Sequence, residues 1–144
     1  MEPSGLRGNY FVAPTASAFK QAMKLCDGRM REFQKLRRHG LKLMWWPAKE
    51  GDEAGHDCDW DWIKTLESKR IGELRIDERI NNHRNVRIIF FKANLTRPDE
   101  PLPRIWLMET FAKDHQKFSS KELKAFAAMR DWIVFREYGG SSLA

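Results

Sequence analysis

The chain reads as an α/β protein of the α+β kind, a small antiparallel sheet with a helical segment before it and one helix after it. Three observations carry this reading. The stretches Ile71–Ile76, Asn85–Phe91 and Arg104–Phe111 are dense in Ile, Val, Phe and Trp and are separated by Asn-, Asp- and Pro-rich turns, the composition of consecutive half-buried strands. Phe19, Met23, Cys26, Met30, Phe33 and Leu36 recur at alternating threes and fours, which places them on one helical stripe. Ser119-x-x-Glu122 opens a final periodic segment with the signature of a capping box.

Taken in order, residues 1–8 are small, polar and Gly-containing and are expected to form a flexible leader. Tyr10-Phe11-Val12 predicts a short strand that Pro14 ends or confines to an edge. Thr15 or Ser17 caps the helix that follows. Asp27-Gly28 interrupts that helix, because glycine costs roughly 1 kcal/mol relative to Ala within one. Arg29, Arg31, Lys35, Arg37, Arg38 and Lys42 occupy the polar side of its second half, either as a solvated face or as a phosphate-contacting one.

Residues 44–62 are expected to form a long acidic loop pinned at both ends by tryptophans: Trp45 and Trp46 at its start, Trp60 and Trp62 at its end, with Glu50, Asp52, Glu53, Asp57, Asp59 and Asp61 along it. His56 and Cys58 lack the second Cys/His pair a structural zinc needs, so no metal is assigned. In the meander that follows, Glu73, Arg75 and Asp77 alternate with Leu74 and Ile76, which predicts a strand wet on one face. Val86, Ile88 and Phe90 would line one side of the next strand, with Arg87, Ile89 and Phe91 on the other. The closing helix repeats Leu123, Phe126, Ala127, Arg130, Ile133 and Val134 and ends at Gly139. Ser141–Ala144 are expected to fray.

The 144 residues fit one domain, 1–144, large enough for its own core. No apolar run has bilayer-spanning length. There is no secretory pattern at the N-terminus, and two cysteines make no disulfide framework; a cytoplasmic location is expected. The net charge of +6 favours polyanionic partners.

The run Glu73-Leu74-Arg75, then Asn82-His83 before Val86-Arg87, then Phe111-x-Lys113 followed by Gln116-Lys117, resembles the RelE/HigB toxins of bacterial toxin–antitoxin pairs, in particular the HigB-like branch with its phage-derived members. The resemblance covers about Ile71 to Gly139; the acidic loop departs from the compact members. It implies a RelE-like sheet with an N-terminal helical hairpin and a C-terminal helix. It further implies a metal-independent, cofactor-free endoribonuclease that cuts messenger RNA on the ribosome. The implied protein partner is an antitoxin encoded by the adjacent gene, of helix-turn-helix type, and no membrane is involved.

Such chemistry needs a base to take the 2′-OH proton, an acid for the departing 5′ oxygen and fixed cations for the phosphorane. The catalytic candidates are Arg87, Lys113, His115 and Lys117, with Arg75, Arg79, His83, Arg84, Arg130, Arg136 and Tyr138 as RNA contacts. Arg87 and the two lysines match the family pattern, whereas His115 stands where other members carry a different polar residue. An arginine between apolar residues on a central strand needs a partner: Glu73 inside the sheet or a phosphate outside it. His83 suits a turn as well as it suits RNA. A binding module without catalysis and a pure interaction domain are the competing functions on such a fold.

Overall fold

The computed structural model describes residues 8–49, 51–115 and 117–144; all of the expected leader except Gly8 lies outside these. Strand β1 (Phe11–Pro14) leads into α1 (Ala16–Leu25). Thr15 is the cap between them, its Oγ1 accepting the N–H of Ala18 at 3.1 Å. Asp27 and Gly28 both take left-handed backbone, φ 49° and 70°, so the apolar stripe folds back on itself and restarts as α2 (Met30–Leu41). The expected hairpin forms because the break preserves the phase of the stripe.

The tryptophan-flanked segment departs from the expected loop. Its last four residues form β2 (Asp59–Trp62), antiparallel to β3 (Ile71–Ile76). Trp60 is buried while Asp59 and Asp61 are exposed, so Asp-Trp-Asp-Trp is itself a period-two strand. Trp60 Nε1 donates to the Ala48 carbonyl at 3.1 Å, and the buried Cys58 thiol donates to the same oxygen at 3.6 Å. His56 stacks on Trp45 with ring centroids 3.8 Å apart.

Strands β4 (Val86–Lys92) and β5 (Arg104–Ala112) complete a sheet in the order β1-β5-β4-β3-β2. The meander is antiparallel as expected, but β1 pairs with β5 in parallel, so the five-stranded sheet is mixed. A bulge sits in β5: Ile89 faces Glu109 while Phe90 faces Leu107, which leaves Met108 as the extra residue. Gly72 is required by packing, since a Cβ there would collide with the ring of Phe90.

Helices cover both faces. The hairpin brings Ala22, Cys26 and Leu36 onto Leu74, Ile76, Val86, Ile88 and Phe90. Helix α3 (Ser120–Tyr138) lays Phe126, Ile133 and Val134 over Ile71, Ile89, Phe91, Trp106 and Met108. Each large side chain fully buried there contributes about 1.5–3 kcal/mol. The capping box at Ser119 and Glu122 is present in both directions. Beyond α3 the chain does not fray: Ala144 is buried, and its carbonyl accepts the N–H of Asn94 at 2.8 Å. Among the described residues no helix is long and apolar enough to cross a membrane.

Candidate functional site

Helix α3 covers only part of its face of the sheet. Ile71, Ile89, Phe91, Trp106 and Met108 lie under it, and the other ends of the same strands stay open. There Arg75 and Arg87 stand directly opposite each other on β3 and β4. Glu73 shares their face, being two residues from Arg75. The pairing runs one step beyond the strands, where the Lys113 N–H donates to the Asn85 carbonyl at 2.9 Å. This fixes Lys113, Asp114 and His115 at the rim. The result is an open groove of about 580 Å³ lined by Glu73, Arg75, Asn85, Arg87, Lys113, Asp114 and His115.

Glu73 corrects the expectation of a wet strand face, because it is only 8% exposed. The cause is charge. Its Oε2 lies 3.4 Å from Arg87 Nε and 3.5 Å from Lys113 Nζ, and its Oε1 is 3.6 Å from a terminal nitrogen of Arg75. Two opposed arginines repel, and a carboxylate between them makes the array tolerable. Attraction is not saturation, however. Glu73 Oε2 and Arg87 Nε are buried and neither has a properly aligned hydrogen-bond partner, while another Arg87 nitrogen donates to the Val86 carbonyl at 3.3 Å. An anion entering the groove would supply the missing acceptor.

Arg75 is held from the other side. Asp59 on β2 accepts two of its N–H groups, at 3.1 and 2.9 Å, in the bidentate geometry that suits guanidinium. The acidic segment therefore reaches the groove through Asp59.

His115 lies between two carboxylates. Nδ1 faces Asp114 Oδ1, and Nε2 faces Glu122 Oε1 at 3.0 Å. Both ring nitrogens face acceptors, so the doubly protonated ring is favoured. The Asp114 and Glu122 hydrogen bonds raise its pKa above the ordinary histidine value. The same Glu122 oxygen accepts the Ser119 N–H at 2.8 Å. That cap and the histidine hold the Glu122 carboxyl below its usual range.

The groove thus brings together Arg75, Arg87, Lys113 and His115, and leaves the other candidates outside. Arg79, His83 and Arg84 are exposed on the β3–β4 turn. That turn is tied to the helical hairpin on the opposite face, since Asn81 Nδ2 donates to Leu25 O at 2.9 Å and Asn81 N–H donates to Glu32 at 2.6 Å. Arg130 packs over Phe91, 5.2 Å from its centroid, and pairs with Asp131 at 3.0 Å; it serves the α3 core. Tyr138 accepts the Trp106 indole N–H at 3.0 Å, which commits its hydroxyl at the start of β5, away from the groove. Arg136 is two residues back on the same distal end of α3. Lys117 is exposed beyond the rim and does not line the groove.

Asn85 lines the groove and Asp59 holds Arg75 at its edge, and neither was a site candidate from the sequence; Glu73 was named there only as a structural partner for Arg87. The available signal for Glu73 was its place two residues before an arginine on a strand facing Arg87. Among the described residues no three His, Cys, Asp or Glu side chains gather as metal ligands.

Chemically, the groove offers a buried carboxylate, a histidine biased toward its protonated form, and arginines fixed on strands. Comparison of the chain with family models, curated proteins and solved structures returns no match.

Proposed function

We propose that the chain is an endoribonuclease of the toxin type, cutting messenger RNA by attack of a ribose 2′-OH on the adjacent phosphate. The observation that carries this reading is the convergence of Arg87, Lys113 and Arg75 on one buried carboxylate, with a histidine held between two carboxylates at the rim. Cations fixed before the reaction stabilise the growing phosphorane charge without reorganisation. In this reading Arg87 and Lys113 hold the non-bridging oxygens. Glu73 takes the 2′-OH proton, and His115, biased to its protonated form, gives one to the leaving 5′ oxygen. Lys117 sits outside this set and serves at most the incoming strand.

The reading includes messenger RNA as substrate and the ribosome and an adjacent-gene antitoxin as partners, acting in the cytoplasm. The exposed, stacked Trp132 and Phe135 on α3 give a protein partner an apolar anchor. The test is direct. A short RNA should be cut to leave a 2′,3′-cyclic phosphate, and a 2′-deoxy substitution at the cut should block it. Cleavage that survives in all-deoxy substrate would sink the 2′-OH mechanism. Unimpaired growth on induction without the neighbouring gene would count against the toxin role.

A further inference from the structure

A second cavity of about 380 Å³ adjoins the groove, sharing the Lys113–Asp114–His115 wall and closed by α1, β5 and α3. Its floor is aromatic: the rings of Phe111 and Phe126 are within 16° of parallel, with centroids 6.5 Å apart. Its acceptor is Glu109, which owes its place to the bulge in β5. The extra residue Met108 leaves Glu109 opposite Ile89, on the α3 face of the sheet, and bulges beside sites commonly re-aim a side chain in this way. Gln21 on α1 is locked next to it. The Thr110 N–H donates to Gln21 Oε1 at 2.8 Å, which turns Gln21 Nε2 toward Glu109 Oε1 at 3.5 Å. That contact is long, so the carboxylate keeps most of its accepting capacity.

An aromatic floor and a positioned acceptor beside a phosphate groove match the needs of a nucleobase. We propose that this cavity receives the base of the nucleotide adjoining the cleaved phosphate, and that Glu109 selects guanine over uracil. The proposal rests on the ribonuclease reading of the groove. Guanine presents an imino N–H and an amino group side by side, and a carboxylate accepts from both at once. Uracil presents one N–H flanked by two carbonyl oxygens, which the carboxylate repels. Adenine and cytosine offer one amino donor beside a ring acceptor and rank between them. Burial raises the Glu109 carboxyl above its ordinary range, Glu122 acts in the same direction, and the Gln21 contact opposes them.

The experiment titrates isotope-labelled full-length protein with the four nucleoside 3′-monophosphates, read by backbone amide resonances. Guanosine 3′-monophosphate should shift Gln21, Glu109 and Thr110 as well as the groove, and bind about 5- to 150-fold tighter than the uridine compound. Glu109→Gln should erase that preference and favour adenosine, because an amide presents one acceptor and one donor. Equal affinities, with shifts confined to Arg87 and Lys113, would overturn the base subsite and leave the groove reading intact. Absence of groove shifts with every nucleotide and with inorganic phosphate would overturn both. A base preference unchanged in a folded Glu109→Gln variant would also overturn the assignment to Glu109.

Discussion

The carboxylate of Glu73 lies 3.4 Å from Arg87 Nε across the β3–β4 pair, close enough to neutralise it and not aligned to hydrogen-bond it. Such a pair offsets the cost of burying both charges in the free protein and stays ready to exchange partners. Arg87→Ala is therefore expected to lower the cleavage rate by about 10²–10³-fold, the usual cost of losing a preorganised charge donor. Stability should fall by only about 1–2 kcal/mol, less than the 3–5 of a wholly uncompensated buried charge, because Lys113 and Arg75 remain. Single-turnover cleavage and thermal melting check the two halves. The proposed mechanism is falsified if the folded variant cleaves at the wild-type rate.

Glu73→Gln separates a base from a counter-ion. If Glu73 takes the proton, the rate should drop by about 10²–10⁴-fold while a non-cleavable RNA binds as well as before or better. Fluorescence anisotropy gives the affinity. A normal rate with tighter binding would leave Glu73 only a counter-ion.

His115 should set the alkaline limb of the pH profile. Its pKa is raised by Asp114 and Glu122, so the acid stays protonated, and activity persists, above the ordinary value of about 6.5. Asp114→Asn combined with Glu122→Gln should move the limb down toward that value, while glutamine still serves the helix cap. The contribution of this histidine to stability has the same sign. It is fully present below the unfolded-state pKa and is lost as pH rises through the raised folded value. A limb that does not move between the two proteins would remove His115 from the acid role.

Asp59→Asn should release Arg75 into the groove. RNA affinity should rise and the slope of log affinity against log salt should steepen by up to about one, as one more phosphate is neutralised. The exposed pair should be worth only about 0.2–1 kcal/mol to the fold. A shallower slope would mean that Asp59 positions Arg75 for phosphate rather than competing for it.

Gly72→Ala tests the sheet itself. The new methyl group meets the buried Phe90 ring, and overpacking of this kind costs about 1–3 kcal/mol. A melting temperature equal to the parent would show that the ring moves freely.

Much of this architecture was legible in the chain because burial writes a period. The hairpin stripe, the meander and the Ser119 capping box each appear where their spacing puts them. Strand β2 was legible too: Asp59–Trp62 alternates perfectly, but the surrounding acid and glycine read as loop. The parallel pairing of β1 was not legible, since nothing local tells Phe11 that Arg104 is its neighbour. The docking of Ala144 beside Asn94 is likewise a tertiary fact. In the site, Arg87, Lys113 and His115 followed from strand ends and resemblance. The burial of Glu73 did not, because it comes from cations on two other segments. Arg130 and Tyr138 looked available on a helix and are committed to Phe91 and Trp106.

The parallel strand at the sheet edge has a kinetic consequence. Strands β3, β4 and β5 close short loops and can assemble early, whereas β1 must wait for β5, since Phe11 pairs with Arg104 far along the chain. Contacts of such long sequence separation form slowly, because loop closure precedes any reward. On synthesis the first strand leaves the ribosome long before its partner exists, so the edge of β5 stays unsatisfied until the amino-terminal segment returns to it.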